Sequence, residues 1–201
     1  MNSPIRAATR RPGSRSLRPW AFASLLLLPV LGLAAAAPEP AAAARPDGTH
    51  DFDWLPGRWH VQHHRLAKRL AGDHTWVEFD GTSVGWLTLG GLGNVDDNVV
   101  NLPSGPYHGE TFRTYDPQTR LWSIWWVDGR SSNRLDPPVV GHFEHGIGIF
   151  ECDDTFEGRP IRVRYRWDIT NPDNPRWEQS FSPDGGKTWE VNWRNEFTRA
   201  Q

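Results

Sequence analysis

The side chains best suited to chemistry are concentrated in one short segment, His60–Arg65, which contains three histidines and an arginine. Because this segment alternates as a strand does, His60 and His64 share one face, while His63 and Arg65 share the other. Histidines four residues apart on a strand are roughly 13 Å apart, whereas zinc needs three or four convergent ligands. We therefore expect no metal site. A histidine beside an arginine suits acid–base chemistry or the binding of an anion.

Other catalytic patterns are scarce. The chain has no Gly-x-Ser-x-Gly nucleophile motif, and its single cysteine, Cys152, can form no intramolecular disulfide. The adjacent acidic pairs Asp96-Asp97 and Asp153-Asp154 fall near predicted turns. We interpret both pairs as solvated turn residues rather than as an acid–base couple.

The residues that position these side chains form short alternating runs from Arg58 onward, separated by clusters of Gly, Pro, Asn and Asp. Such spacing, without helical periodicity, is typical of a sandwich or a barrel. The predicted strands span residues 58–66, 74–80, 82–89, 97–102, 108–115, 120–128, 139–144, 147–152, 160–169, 176–182 and 187–198. The count is ten or eleven, depending on whether residues 74–89 are interrupted at Gly81.

Alternation is clearest in residues 161–169, where apolar side chains occupy one face and charged side chains the other. A strand of this kind has one packed and one solvated side. The simplest interpretation of Arg162, Arg164 and Arg166 is a charge ladder on the exterior, opposite glutamates of neighbouring strands. The alternative is that these arginines point into a wide polar lumen and hold an anionic ligand.

Two turn motifs invite a functional interpretation. Ser182–Trp189 matches the Asp-box of sialidases, Ser-x-Asp-x-Gly-x-Thr-Trp, but it occurs once and without the repeat of a propeller. We therefore interpret it as a hairpin whose Ser, Asp and Thr oxygens satisfy turn amides. Leu89–Asn94 is rich in glycine, yet no Lys-Ser/Thr follows it, so it predicts a mobile loop at the barrel mouth rather than a phosphate site.

The N-terminal segment has a different composition. Five arginines precede an apolar run, Trp20–Leu33, which is followed by alanines. A basic start, a short apolar stretch and small residues at the cleavage site describe a secretory signal peptide. We assign residues 1–36 to a signal peptide, 37–49 to an Ala/Pro-rich linker and 50–201 to the folded domain. No cysteine lies near the cleavage site, so we expect export to the periplasm or the medium without a lipid anchor.

The charge of the exported part bears on its partners. Without the five leader arginines, 17 basic residues face 24 acidic ones, a net charge of −7. An acidic body argues against nucleic acid or an anionic membrane as a partner. Of the 12 tryptophans, only Trp20 lies in the leader. The other eleven suit a core, or a pocket for a flat, apolar or aromatic molecule.

The segment from Phe52 to Trp59, with its Gly57-x-Trp59 step into the first strand, resembles the entry motif of the calycins, the lipocalin-like β-barrels. The closing segment Trp193–Arg199 completes the resemblance, which covers about residues 50–199 and points to an uncharacterised family of secreted bacterial lipocalin-like domains. The resemblance implies that Trp59 closes the barrel floor beneath Arg194 or Arg199. It also implies that the face of His63 points inward.

The chain is more distantly similar to nitrobindin, a ten-stranded calycin barrel that binds heme through a histidine late in its chain. The last histidine here is His145. We therefore expect neither heme nor any other cofactor.

Three functions follow from a calycin-like barrel. The first is an exported binding protein for a small apolar or aromatic molecule, with an anionic group as an option. The second is an enzyme of isomerase, hydratase or lyase type, using His63, Arg65, Tyr165 or Asp128 for acid–base work. The third is a structural or interaction module with a filled barrel. Oligomeric state is left open. The predicted ligand-binding residues are His63, Arg65, Trp126, Tyr165, Gln179 and Asn195.

Overall fold

A computed structural model describes residues 47–201. Ten strands span Gly57–Leu66 (β1), Trp76–Thr88 (β2), Gly93–Leu102 (β3), Gly105–Asp116 (β4), Leu121–Asp128 (β5), Val139–Glu144 (β6), Ile147–Phe156 (β7), Arg159–Asp168 (β8), Arg176–Ser182 (β9) and Glu190–Arg199 (β10). Each strand pairs antiparallel with the next, and β1 pairs with β10 to close a barrel. The predicted fold, a single antiparallel barrel of eight to ten strands, is confirmed.

Strand β2 is continuous through Gly81, so the interruption considered for residues 74–89 does not occur. The glycine is needed for space rather than for a turn. A Cβ added at Gly81 would lie 2.5 Å from the carbonyl oxygen of Val99 and 2.8 Å from Nε2 of His63. Gly81 therefore lets the imidazole of the neighbouring strand lie directly against β2.

An aromatic core fills the end of the barrel at which β1 begins, which we call the closed end. Phe52 from the segment before β1 is 1% exposed and packs at 4.9 Å, ring centroid to ring centroid, on the edge of Trp122. Trp59 is also 1% exposed and donates its indole N–H to the carbonyl of Leu55 at 2.8 Å. The residues preceding β1 therefore act as a plug for the closed end.

The basic residue over the floor tryptophan is Arg199. Its Cζ lies 3.8 Å from the centroid of the Trp59 ring, and its guanidinium donates to the carbonyls of Trp54 and Pro56 at 2.6 Å each. Arg194 lies instead on the exterior, where it pairs with Glu178 at 3.0 Å. The cation thus fastens the last strand to the plug as well as covering Trp59.

The end opposite the plug, which we call the mouth, is bordered by the loops after β1, β3, β5, β7 and β9. The glycine-rich run Leu89–Asn94 joins β2 to β3 and lies at the closed end. The prediction that it forms a loop at the mouth is wrong, because β2 runs from the mouth towards the plug, where Gly85 packs on Leu55.

The arginine row on β8 lies on the barrel exterior, as the simplest interpretation predicts. Arg162 and Arg164 both donate to Glu151 of β7, at 2.8 and 2.6 Å, and Arg166 pairs with Asp168 at 3.2 Å. The alternative, in which this row points into the lumen, is wrong.

The Asp-box residues form the turn between β9 and β10. Asp184 accepts hydrogen bonds from the amides of Lys187 and Thr188 and from the Ser182 hydroxyl, all within 3.0 Å. These bonds, with that from the Thr188 hydroxyl, lower the pKa of Asp184 to about 2. The structural interpretation of the motif is confirmed.

The predicted signal peptide, residues 1–36, and most of the linker lie outside the described residues. The described end of the linker contacts the barrel. Gly48 receives a hydrogen bond from the indole of Trp122 at 2.9 Å, and its amide donates to the Tyr115 hydroxyl at 2.9 Å. Ordered contacts therefore begin slightly before residue 50. No helix within residues 47–201 is long and apolar enough to cross a membrane.

Candidate functional site

A cavity of about 430 Å³ occupies the barrel between the plug and the mouth. Its lining includes apolar side chains such as Ile124, Val163 and Phe197. Its wall also carries the rings of Trp126, Tyr165, Trp177 and Trp193. The volume is in the range of small-molecule sites. The barrel is therefore not solidly filled, which removes the filled-barrel alternative.

All six predicted ligand-binding residues line this cavity. They lie on five strands, and the inward parity of each strand brings them together. These residues are His63 and Arg65 on β1, Trp126 on β5, Tyr165 on β8, Gln179 on β9 and Asn195 on β10. Their position in the cavity is as expected, whereas their role in binding stays a prediction.

His63 is held by its neighbours. Its Nδ1 lies 2.7 Å from Oδ1 of Asn195 and 3.2 Å from the indole nitrogen of Trp193. Its ring stacks on Phe79 with centroids 5.0 Å apart. Burial lowers the pKa of His63 to about 4, so the imidazole is neutral at pH 7. This group is poorly suited to act as a general acid at neutral pH.

The position of His63 also bears on whether the cavity could hold a heme through a histidine ligand. His63 is the only histidine among the cavity-lining residues in the described part of the chain. Its Nδ1 is engaged by Asn195, and its Nε2 lies over Gly81 of β2. The imidazole is therefore engaged through Nδ1 and packed against β2 at Nε2, so the described residues do not fit a histidine-ligated heme. Residues 47–201 contain no group of three or more side chains arranged to hold a metal ion.

Tyr165 on β8 and Gln179 on β9 are cross-strand neighbours. Gln179 is buried and donates to Oδ1 of Asn192 at 2.8 Å, so part of its hydrogen-bonding capacity is used within the protein. Tyr165 packs edge-to-face on Trp177 at 4.9 Å. Its hydroxyl makes no hydrogen bond with any described residue, and burial raises its pKa well above the ordinary value. This hydroxyl is available to a molecule in the cavity.

Sequence reasoning missed a buried ion pair on the wall formed by β3 and β4. Asp96 and Arg113 are each 3% exposed, and the guanidinium donates directly to the carboxylate. Asn98 donates to Asp96 at 2.6 Å, and Asn94 accepts from Arg113 at 3.0 Å. Thr111 donates to the same carboxylate at 3.3 Å. The expectation that Asp96 is a solvated turn residue is wrong, because it lies inside β3.

The signal for this pair was present as an inverted alternation. In residues 94–99 of β3 the inward side chains of Asn94, Asp96 and Asn98 are polar, while two of the three outward side chains, Val95 and Val99, are apolar. Val95 belongs to an apolar row on the barrel exterior, in which the cross-strand neighbours are Trp86, Val95, Phe112 and Trp125. Polarity therefore does not identify the outer face in this part of the sheet.

The mouth carries charges of both signs. Asp128 pairs with Arg130, whose hydrogen bonds lower the pKa of Asp128. A carboxylate held in this way is a weak proton acceptor, which disfavours Asp128 as a general base. Asp136 and Asp154 line the same side of the cavity, and burial together with the charge of Asp154 raises the pKa of Asp136.

Arg65 and Arg69 form the basic side of the mouth. Neither guanidinium has a carboxylate within 4.0 Å among the described residues. Each packs on aromatic rings instead, Arg65 on Phe79 and Trp193 and Arg69 on Phe156 and Phe181. Arg69 was not predicted, because it lies in the loop after β1 and no strand parity places it.

No family model matches the chain, and no curated protein matches it. Among solved structures, the chain is similar to an S-type phycobiliprotein lyase from Guillardia theta. The two share 11% sequence identity with a TM-score of 0.53, over 75% of this chain and 90% of the lyase chain. At this identity the likeness concerns the fold alone. The ten-stranded barrel is therefore a calycin, or lipocalin-like, fold, as the entry motif at Trp59 predicts.

Proposed function

We propose that this protein binds a small apolar or aromatic molecule inside its barrel. The observation that carries the proposal is the cavity of about 430 Å³, closed at one end by the plug and lined by indole and phenol rings. Aromatic rings offer large apolar contact area and defined stacking geometry to a flat ligand. The free hydroxyl of Tyr165 and the amide of Gln179 add polar contacts that would orient the ligand.

An acid–base enzyme of isomerase, hydratase or lyase type is the second candidate. It is supported by the raised pKa of Asp136, which faces the cavity and would hold a proton to higher pH than an ordinary carboxyl group. The similarity to a lyase adds only that a barrel of this fold serves an enzyme. Against it stand the low pKa of His63 and the ion pair of Asp128, so the binding function is preferred.

The binding proposal is tested with N-phenyl-1-naphthylamine, a neutral aromatic probe whose fluorescence rises in an apolar site. Trp126 and Trp125 are adjacent in β5 but face opposite sides of the sheet, and only Trp126 lines the cavity. We expect Trp126→Phe to weaken probe binding roughly two- to tenfold, the worth of one aromatic contact. Trp125→Phe should leave probe affinity unchanged. Equal effects of the two substitutions, or no saturable binding, would count against a cavity ligand.

The natural ligand is sought by native mass spectrometry of the protein purified from its own host. A co-purifying small molecule, identified after denaturation, would support a carrier. Turnover of that molecule on incubation, lost in Asp136→Asn, would favour the enzyme instead.

Export is also part of this proposal, and it rests on the composition of residues 1–36. We infer that the mature chain is released into the periplasm or the medium of a bacterium. N-terminal sequencing of the protein from those fractions should give a start after the alanine tract. Recovery of the full chain from the cytosol alone would contradict it.

A further inference from the structure

Two of the arginines at the mouth of the barrel, Arg65 and Arg69, line the cavity without a carboxylate within 4.0 Å among the described residues. We infer that Arg65 and Arg69 form a carboxylate-binding site, so that the ligand is an apolar or aromatic molecule carrying a single carboxylate. This inference rests on the proposed binding function and specifies the chemical class of the ligand.

The two guanidiniums are held in place by aromatic rings. The Cζ atom of Arg65 lies 5.1 Å from the ring centroid of Trp193, and that of Arg69 lies 4.6 Å from that of Phe156. A guanidinium packed on a ring face keeps its N–H donors in its own plane, at its edges. Those donors are therefore available to an anion while the cation stays fixed.

The segment that presents Arg69 is preorganised. Within the loop after β1, the amide of Ala67 donates to the carbonyl of Thr75 at 2.9 Å, and the amide of Lys68 donates to Asp73 at 2.9 Å. The amide of Leu70 donates to the Glu190 carboxylate at 2.7 Å, which attaches the loop to β10, the strand next to β1. Binding an anion therefore requires little ordering of this loop, which preserves affinity.

The charges around the site favour an anion at this position. Burial lowers the pKa of both arginines, and the proximity of Arg65 lowers that of Arg69 further. Both groups nevertheless stay charged at neutral pH, because arginine is not deprotonated in proteins. Glu157 and Glu190 raise the pKa of Arg69 but lie beyond 4.0 Å, and Glu190 is engaged by Leu70.

The other charged groups at the mouth define where the ligand's acid goes. Asp128 is neutralised by Arg130. Asp136 lines the cavity from the loop after β5, and Asp154 lines it from β7. A carboxylate is repelled from those two aspartates and attracted to the arginines. Arginine forks match the planar carboxylate with paired hydrogen bonds. The ligand would thus place its acid at Arg65 and Arg69 and its apolar body along the aromatic wall.

The test compares two probes that differ by one group. Diphenylamine and N-phenylanthranilate share the same two rings, and only the second carries a carboxylate. We expect the wild-type protein to bind N-phenylanthranilate at least about tenfold more tightly, the gain typical of a charge-assisted hydrogen bond. Affinities are measured by isothermal titration calorimetry at one fixed salt concentration.

The variants identify the residues responsible. Arg65→Gln and Arg69→Gln should each weaken N-phenylanthranilate binding about tenfold and leave diphenylamine within about twofold. Arg69→Lys, which keeps the charge but not the fork, should fall between wild type and Arg69→Gln. Arg166→Gln, an exterior arginine, should leave both affinities unchanged.

The outcomes separate the two proposals. If diphenylamine binds equally well to the wild type and to every variant and N-phenylanthranilate binds no more tightly, the carboxylate site is wrong and the binding function stands. If neither probe saturates the protein, the cavity proposal fails as well. Equal losses for both probes in Arg65→Gln and Arg69→Gln would assign these arginines to packing and overturn the carboxylate site.

Discussion

Two sets of arginines that line this barrel, Arg113 on the wall and Arg65 with Arg69 at the mouth, have different neighbours. Arg113, on the wall formed by β3 and β4, is 3% exposed and donates to its own buried carboxylate, Asp96. Arg65 and Arg69, at the mouth, are half-buried and pack on aromatic rings, with no carboxylate within 4.0 Å among the described residues. A charge far from water is costly unless it is paired, so the deep cation has a partner built into the chain.

The difference teaches how to distinguish a structural charge from a functional one in a cavity. At the wall, Asn94, Asn98 and Thr111 hydrogen-bond to the ion pair, and of the Arg113 guanidinium only Nε is buried without a partner among the described residues. At the mouth, partial access to water makes an unpaired cation tolerable until a ligand arrives. Pairing inside the protein therefore identifies the first group as stabilising, and its absence is the reason for proposing the second group as binding residues.

Breaking the wall pair should have the largest effect on stability. Asp96→Asn keeps the shape of the side chain but leaves the buried Arg113 without a counter-charge. We expect the free energy of unfolding to fall by about 3–5 kcal/mol. Urea unfolding followed by tryptophan fluorescence measures the change.

The neighbouring residue supplies the control. Asp97 lies on the outer face of the same strand, where its closest charged contact is His108 at 3.8 Å. Asp97→Asn should change stability by less than about 1 kcal/mol. If Asp96→Asn does not fold, the double variant Asp96→Leu with Arg113→Met should recover folding, because it removes both charges. Failure of the double variant as well would show that the pair is needed for more than charge balance.

Much of the architecture could be predicted because strands and turns leave local signals. Alternation and turn residues gave the ten strands, and the parity of each strand brought His63, Trp126, Tyr165 and Asn195 into one cavity. Whether the strand breaks at Gly81 could not be decided from the sequence, for a different reason. A glycine that breaks a strand and a glycine that admits a neighbouring ring have the same sequence signature.

The missed residues depended on information that is not local. Asp96 and Arg113 meet because the register of β3 against β4 places Asn94 opposite Arg113 and Asp96 opposite Thr111. Two adjacent acids in a sequence do not reveal that one of them is buried against a cation 17 residues away. Arg69 depends on the path of a loop across the mouth, which no periodicity describes.

The second prediction concerns His63, a buried group of the cavity wall that carries no charge at pH 7. Its pKa is about 4 in the folded protein against 6.5 in an unfolded chain, so the unfolded state binds the extra proton first as the pH falls. His63 therefore makes the free energy of unfolding decrease from pH 6.5 to about 4, by up to about 3 kcal/mol. Asp51 acts oppositely, because burial raises its pKa to about 6 and its contribution is lost as the pH rises from 3.8 to 6.

Because these two slopes oppose each other, the measurement is a difference between proteins. The stability advantage of the wild type over His63→Gln should shrink as the pH is lowered from 7.5 to 4.5. His64→Gln, on the exterior face of β1, controls for an unspecific effect of losing a histidine. An advantage that is independent of pH would mean that the imidazole takes up its proton in the folded protein as readily as in the unfolded chain.

The smallest expected effect is that of Arg69 on stability, and it sharpens the contrast with Arg113. Arg69→Gln loses the contacts of the guanidinium with Phe156 and Phe181, worth about 0.5–1 kcal/mol at a partly exposed site. The same substitution also removes a partly buried charge and the repulsion between that charge and Arg65, both of which cost free energy in the folded protein. The two effects offset each other, so the midpoint of thermal unfolding should move by no more than a few degrees. A loss as large as that of Asp96→Asn would mean that the mouth cations serve the fold as Arg113 does, and the distinction between binding and structural arginines would no longer hold.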